Sequence, residues 1–279
     1  MREHVPMTLR KLVFDNFRFP MSPVGLARRY RRVLRWLGGV WPVDRISASI
    51  MRGNTFSCIP VGESVTVPPD SCVPESIVEG LIERASRRFI VDHCFCRSST
   101  GCTEHDPGIG CLFLGEGTRQ LDPAMGREAS VEEAREHLRR AVSSGLVPCI
   151  GQSWVDARAF GVSDYRHFMT VCFCCSCCCL IGLLPHLQPE AMRIMVRLEG
   201  VSVEVGEGCD GCGACQDYCI FSQLRLDGGR AVIGDDCKAC GRCAAACPRG
   251  AIRVRVEDPD YARLCLERLG KRVDIGSDG

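Results

Sequence analysis

Residues 209–248 read Cys209-x2-Cys212-x2-Cys215-x3-Cys219, then seventeen residues, then Cys237-x2-Cys240-x2-Cys243-x3-Cys247-Pro248. The second run repeats the first, position for position, 28 residues further along the chain. Three thiolates at this spacing can wrap a short loop around one cubane metal cluster, whereas the fourth opens a short helix and points toward a second cluster. Zinc sites usually pair two C-x2-C elements, so the pattern favours cubane clusters over a pair of zinc knuckles.

The stretch from Val201 to Glu257, about a fifth of the chain, resembles a bacterial two-cluster [4Fe–4S] ferredoxin. The resemblance implies that the fourth cysteine of each run binds the cluster of the other run. One departure is Ile220, which follows Cys219 where the family usually has proline; this residue is not a ligand, so it bears on the potential and not on ligation. The implied ligands are Cys209, Cys212, Cys215 and Cys247 for one cluster, and Cys237, Cys240, Cys243 and Cys219 for the other.

The composition is ordinary for a globular protein except for its cysteines. Of 279 residues, 46% are apolar, 25% are charged and 22 are cysteine. Residues 1–20 contain no uninterrupted apolar stretch of the kind that a secretory signal peptide needs, so we expect reduced, metal-binding thiols in the cytoplasm and not secreted disulfides. A net charge of +1 argues against nucleic acid as a partner. No nucleotide-binding or Ser-His-Asp motif is present.

A second group of cysteines lies upstream. Two segments carry it, and between them a capping box at Ser130 and Glu133 predicts a helix. The run from Phe168 to Pro185 is long enough to span a membrane, but that interpretation is rejected because a bilayer gives no reason for so many thiols. The first segment holds Cys94, Cys96, Cys102 and Cys111, and the second holds Cys172, Cys174, Cys175, Cys177, Cys178 and Cys179.

Together, these two segments resemble a module of iron–sulfur proteins from anaerobic bacteria and archaea, which is often fused to a ferredoxin domain. The matching pattern is C-x-C-R…C…G-C-L-x-L-G followed by C-x-C-C-x-C-C-C, over about residues 60–185. The resemblance implies iron–sulfur binding but no particular reaction. One or two additional clusters, a zinc site and redox-active thiols without metal all remain open for these ten cysteines.

Several residues near these cysteines allow two interpretations. Arg97 could stabilise the negative charge of a cluster. His105 and Asp106 are either a ligand or proton donor, or an Asx-type turn with a surface histidine. The other cysteines have no companions at ligand spacing and are interpreted as small buried apolar residues. They are Cys58, Cys72, Cys149 and Cys265.

The predicted fold class is α+β, with four segments. Residues 1–45 form a basic segment whose amphipathic helix, from Leu26 to Leu37, has either a membrane-facing or a solvated arginine face. Residues 46–199 form a cysteine-rich, mainly helical domain that ends in a helix over 186–200. Residues 200–257 form a β-α-β-β-α-β ferredoxin-like domain with a hairpin at 224–233. Residues 258–279 form a tail with a helix around 261–269.

The expected function is electron transfer between redox partner proteins. No transmembrane span is expected, and contact with a membrane surface stays open. Two alternatives remain. One is an iron–sulfur reductase or reductive activator whose active site lies in the upstream module, with unknown catalytic residues. The other is a redox or oxygen sensor with labile upstream clusters.

Overall fold

The computed structural model describes residues 53–62, 65–69, 71, 73–186 and 189–276, and these contain eleven strands and seven α-helices. The strands are β1 (Thr55–Cys58), β2 (Val65–Thr66), β3 (Arg88–Val91), β4 (Leu112–Leu114), β5 (Gly126–Glu128), β6 (Val147–Gln152), β7 (Met169–Cys174), β8 (Val201–Val205), β9 (Leu224–Asp227), β10 (Arg230–Ile233) and β11 (Ile252–Val256). The helices are α1 (Glu75–Arg84), α2 (Phe95–Thr100), α3 (Val131–Ser143), α4 (Trp154–Ala159), α5 (Pro189–Met192), α6 (Arg242–Ala245) and α7 (Tyr261–Gly270).

A six-stranded antiparallel sheet lies at the centre of the upstream part, in the order β1-β6-β7-β4-β3-β5. Strand β6 is buried along its whole length. Helices α1 and α3 pack against each other, and α3 also packs against β6 and β3. The buried residues of α1 follow helical spacing, which explains why this segment forms a helix with one apolar face. They are Ile77, Val78, Leu81 and Ile82.

Both ends of α3 lie where the capping box and Gly145 predicted them. The Ser130 hydroxyl accepts a hydrogen bond from the Glu133 amide at 3.2 Å, and the Glu133 carboxylate accepts one from the Ser130 amide at 2.8 Å. This completes the predicted capping box. Gly145 follows the helix with φ 74°, a left-handed conformation that glycine adopts without steric cost. The helix therefore connects the two upstream cysteine segments as predicted.

The prediction of a mainly helical upstream domain is wrong, because the six-stranded sheet forms its centre. Residues 168–185 contain strand β7 followed by a 3-10 helix at Leu180–His186. A short apolar run does not distinguish a buried strand from a buried helix, and only pairing with β6 and β4 decides it. The helix predicted over 186–200 is likewise reduced to the four residues of α5. Within the described residues, no helix is both long enough and apolar enough to cross a bilayer.

The C-terminal part contains the elements strand, 3-10 turn, hairpin, helix and strand, in that order. Strands β9 and β10 form the predicted hairpin, and its turn residues Gly228 and Gly229 both have positive φ. Strand β8 pairs with β11 in an antiparallel ladder, and β2 adds to the other side of β11 in parallel. A strand from the upstream part therefore completes the sheet of the C-terminal part.

One hydrophobic core runs through both parts. It contains Ile150 and Val171 of the upstream sheet together with Val254 of β11. Helix α7, near the predicted position, contributes Tyr261 and Leu269 to this core. The Gln152 side chain donates a hydrogen bond to the Arg272 carbonyl at 3.0 Å, so the end of the chain is fixed against β6. The prediction for residues 1–45 lies outside the described residues.

Candidate metal centres

The two C-terminal cysteine runs fold into loops with the same backbone conformation. Positive φ angles occur at Gly211 (69°) and Gly213 (79°) of the first run. They recur 28 residues later at Ala239 (50°) and Gly241 (79°). A third pair, Ser222 (53°) and Gly250 (58°), follows the fourth cysteine of each run. The sequence repeat is therefore a structural repeat, and each loop turns its thiols toward a common centre.

Each loop encloses a small cavity that is lined by four cysteines. In both, the fourth cysteine comes from the other run. Cavity A, the first, is lined by Cys209, Cys212, Cys215 and Cys247; cavity B, the second, is lined by Cys219, Cys237, Cys240 and Cys243.

Backbone amides donate hydrogen bonds to several of these eight sulfurs. Gln223 N lies 3.2 Å from Cys219 Sγ, and Ala251 N lies 3.3 Å from Cys247 Sγ, at matching positions of the repeat. Cys209 and Cys237 accept similar bonds from Ala231 N (3.3 Å) and Ala239 N (3.4 Å). Such bonds stabilise a thiolate and orient it, and they tune the potential of a metal cluster.

The electrostatics of the cavities suit bound metal. The amide hydrogen bonds from Ala231 and Gly211 lower the pKa of the Cys209 thiol. Burial raises the pKa of the Cys243 thiol to about 12, and the neighbouring cysteines add to this. A buried thiol of this kind loses its proton when a metal ion coordinates it, because the charge of the ion outweighs desolvation. The donor set, four sulfurs to a cavity, therefore fits a [4Fe–4S] cluster in each.

Eleven of the twelve described upstream cysteines form three groups, and the twelfth, Cys175, is buried in contact with Cys177 and Arg97. The first is a surface trio, Cys102, Cys177 and Cys178, whose sulfurs all lie within 4.8 Å of one another; Cys177 is exposed, Cys102 is half-buried and Cys178 is buried. The second is a pair, Cys111 and Cys172, with sulfurs 3.8 Å apart. The third is a buried series of thiols in which each contacts the next. It contains Cys58, Cys149, Cys174, Cys179, Cys96 and Cys94.

Cys58 and Cys149 are the residues whose place in this series the sequence did not indicate. Their sulfurs lie 3.0 Å apart although the residues are 91 positions apart in sequence. They are paired in register on β1 and β6, and Cys149 is paired in turn with Cys172 on β7. Side chains of paired residues leave the same face of a sheet, so strand pairing brings these cysteines together. The local spacing of the cysteines in the sequence gave no signal for this proximity.

The two other isolated cysteines lie elsewhere. Cys265 is a buried thiol beside Arg268, and Cys72 lies outside the described residues.

Two buried arginines lie among these thiols. Arg97 is 1% exposed and donates hydrogen bonds to the carbonyls of Asp106 (3.0 Å), Phe173 (2.8 Å) and Ile109. Burial by itself lowers the pKa of Arg97, but the thiols of Cys94, Cys175 and Cys111, taken as thiolates, outweigh it and raise that pKa. Arg242 is 7% exposed and donates to the Cys174 carbonyl. Both guanidinium groups thus donate to backbone carbonyls near thiols, and within the described residues neither forms an ion pair with a carboxylate.

His105 and Asp106 form a turn. Asp106 Oδ1 accepts a hydrogen bond from Gly108 N at 2.7 Å, and its carboxylate pairs with Arg140. His105 Nδ1 donates to the Ser144 carbonyl at 3.1 Å, just beyond the end of α3. This is the Asx-type turn with a surface histidine that was one of the two interpretations of the sequence.

Comparison with known proteins identifies the class of one segment. Residues 231–253 match the model of the Fer4 family, described as the 4Fe-4S binding domain. The match contains the whole second cysteine run and half of the residues that line cavity B. No curated protein and no solved structure matches the chain. The chain therefore contains an iron–sulfur domain, of a kind used in electron transfer, that binds at least one [4Fe–4S] cluster.

Proposed function

We propose that the chain is an electron carrier with two [4Fe–4S] clusters in a ferredoxin domain at residues 200–257 and one or two more in the upstream part. Cluster A is held by the four cysteines of cavity A and cluster B by those of cavity B. The observation that carries this proposal is the exchange of the fourth cysteine, since each cavity is lined by three thiols of one run and one of the other.

When bound, a [4Fe–4S] cluster accepts and releases one electron. The protein's own residues hold the sulfurs, donate amide hydrogen bonds to them and limit the access of water. Both cavities open toward the surface: Cys212 is exposed beside cavity A, and Tyr218 beside cavity B is 47% exposed. At these two places a redox partner protein, the donor or the acceptor, would approach, and the other partner would approach the upstream part. Electrons would enter at one set of clusters and leave at the other, in the cytoplasm.

Iron and acid-labile sulfide per chain, measured on full-length protein purified without oxygen, test the proposal. We expect about eight irons from clusters A and B and about four to eight from the upstream part. Cys212→Ser should remove the irons of cluster A, and Cys240→Ser those of cluster B. Cys265→Ser is the matched control and should remove none. Fewer than eight irons in the wild type, or an unchanged iron content in both ligand variants, would contradict the proposal.

A reductase is the second candidate, and the surface trio favours it. Cys102, Cys177 and Cys178 offer three sulfurs near the surface, and among the described residues no other His, Cys, Asp or Glu completes that group. Three protein ligands and an open fourth position are the arrangement of catalytic metal sites. A change in the visible or electron paramagnetic resonance spectrum on adding cyanide or azide, lost in Cys177→Ser, would favour the reductase. No change would favour the carrier.

A further inference from the structure

The surface trio is assembled from two turns that are distant in sequence. Helix α2 ends at Gly101, whose φ of 62° is left-handed, and Cys102 follows directly. The Cys102 amide donates a hydrogen bond to the Arg97 carbonyl of α2 at 3.0 Å, which fixes the start of the first turn. Cys177 and Cys178 lie in the turn that follows β7. A helix and a strand therefore hold the three thiols together.

The spacing of the three sulfurs fits a single metal ion. Cys102 Sγ and Cys177 Sγ lie 3.7 Å apart, and all three sulfurs lie within 4.8 Å of one another. Zinc–thiolate bonds of about 2.3 Å at tetrahedral angles place neighbouring sulfurs roughly 3.8 Å apart. The trio thus has the separation that three thiolates around one zinc ion require.

The cysteines of cavities A and B are spaced more widely. A cubane takes one thiolate on each of its four irons, so the whole cluster holds its protein sulfurs apart. Among the described residues, the trio is the one group in which the ligand atoms of three His, Cys, Asp or Glu residues all lie within 4.8 Å of one another. No three sulfurs of cavity A, or of cavity B, meet this distance. The trio is therefore too compact for the kind of group that these cavities fit.

Hydrogen bonds around the trio suit bound thiolates. The backbone amides of Glu104 and His105 donate hydrogen bonds to Cys102 Sγ. The Thr100 side chain is hydrogen-bonded with Cys178 Sγ. Such bonds orient a ligating sulfur and stabilise its charge.

One side of the trio faces solvent. Cys177 is exposed, and the neighbouring thiol of Cys175 contacts Cys177 without belonging to the close group. Structural zinc sites are closed by four protein ligands, whereas three ligands leave a fourth position for water or another small ligand. The trio has the open arrangement.

We propose that Cys102, Cys177 and Cys178 bind a single zinc ion whose fourth position faces solvent and exchanges its ligand. The inference goes beyond the proposed carrier, because it assigns the trio to one ion and leaves any upstream cluster to the remaining thiols. It also separates the trio from the reductase. Zinc has no redox chemistry, so this site would bind and polarise a ligand but transfer no electrons.

Cys177→Ser in the full-length chain tests the assignment. Zinc, iron and acid-labile sulfide per chain are measured on protein that is purified without oxygen and without added metal. We expect about one zinc per chain in the wild type, lost in Cys177→Ser while iron and sulfide stay unchanged. Ser176→Ala, in the same turn, is the matched control and should keep the zinc.

Three outcomes would overturn the inference. They are a wild type without zinc, an equal zinc content in the wild type and Cys177→Ser, and a loss of iron together with sulfide in Cys177→Ser, which would assign the trio to a cluster. Fewer than eight irons in the wild type would instead contradict the carrier, whatever the zinc content.

X-ray absorption at the zinc edge of the wild-type protein, in buffer without thiols, provides a readout that needs no variant. We expect three sulfurs at about 2.3 Å and one oxygen or nitrogen at about 2.0 Å from the zinc. Adding 2-mercaptoethanol should replace the lighter atom with a fourth sulfur, which would show that this position exchanges. Four sulfurs before the thiol is added, or a spectrum that the thiol leaves unchanged, would overturn the open fourth position.

Discussion

Ala239 and Gly211 occupy equivalent positions of the two cysteine loops and both have positive φ, at 50° and 69°. The left-handed region costs a residue with a side chain roughly 1–2 kcal/mol, which Ala239 tolerates and Gly211 avoids. A Cβ at Gly211 would also lie 2.3 Å from the Gly229 carbonyl oxygen, an impossible contact without backbone movement. The two positions therefore share a left-handed conformation, but only position 239 accepts a side chain.

We predict that Gly211→Ala weakens cluster A whereas Ala239→Gly leaves cluster B intact. Gly211→Ala should destabilise the first loop by roughly 1–3 kcal/mol because it adds strain and a backbone clash. Ala239→Gly should change stability by less than about 1 kcal/mol, since relief of strain offsets the extra freedom of the unfolded chain. Iron per chain and the rate of bleaching in air measure both. Equal bleaching of the two variants would contradict the prediction.

His137 on α3 makes the fold sensitive to acid. Its Nε2 donates a hydrogen bond to the Gly110 carbonyl at 2.9 Å, and its ring packs edge-on against Phe173. Burial lowers the pKa of His137 below that of an unfolded histidine. The unfolded state therefore binds the proton more readily, so the stability present above about pH 6.5 is lost as pH falls through the unfolded pKa toward the folded one.

We expect the thermal unfolding midpoint of the wild type to fall between pH 7.5 and 5.5 by more than that of His137→Gln. Glutamine keeps an amide donor for the Gly110 carbonyl but does not titrate in this range. His93→Gln is the control, because His93 is exposed to solvent beside Cys94. An identical pH dependence in the wild type and His137→Gln would show that His137 does not contribute.

At the scale of elements, the sequence predicted the helices, turns and loops that are specified by residues next to one another in the chain. The capping box and Gly145 bounded α3, the Asp-Gly-Gly turn specified the β9–β10 hairpin, and the cysteine spacing placed eight thiols in two loops. The six-stranded sheet was not predicted, because its order depends on pairing between distant strands. The proximity of the cysteines of β1 and β6 was not predicted for the same reason, since it exists only through strand pairing.

Helix α6 connects the C-terminal loop to β7 through Arg242. A buried cation next to a cluster stabilises the reduced form, which carries one more negative charge. Arg242→Gln should therefore shift the potential of cluster B to more negative values, on the order of tens of mV at an effective dielectric constant near 20. Arg249→Gln is the control, because Arg249 beside cavity A is exposed and paired with Asp210 at 2.9 Å. Redox titrations followed by electron paramagnetic resonance measure both; equal shifts would contradict the prediction.

At the scale of the whole molecule, the sequence suggests a ferredoxin domain that could be separated at residue 199, whereas the structure joins it to the upstream part. Strand β2 hydrogen-bonds along β11, and Val254 of β11 is completely buried. Arg242 and helix α7 add contacts with Cys174 and Ser57 of the upstream sheet. Removing the upstream part would expose an unpaired strand edge and part of the core, both of which cost stability.

We therefore predict that a fragment spanning residues 199–279 loses its clusters faster than the full-length chain. Both are reconstituted with iron and sulfide without oxygen, and the iron content is followed after transfer to air, together with the thermal midpoint. The matched control is the full-length chain with Val65→Lys, which keeps every element but removes a side chain of β2 beside β11. An intermediate rate for this variant would assign part of the protection to β2. A fragment as robust as the full-length chain would instead mean that the C-terminal part folds independently, and that the shared core adds no protection to clusters A and B.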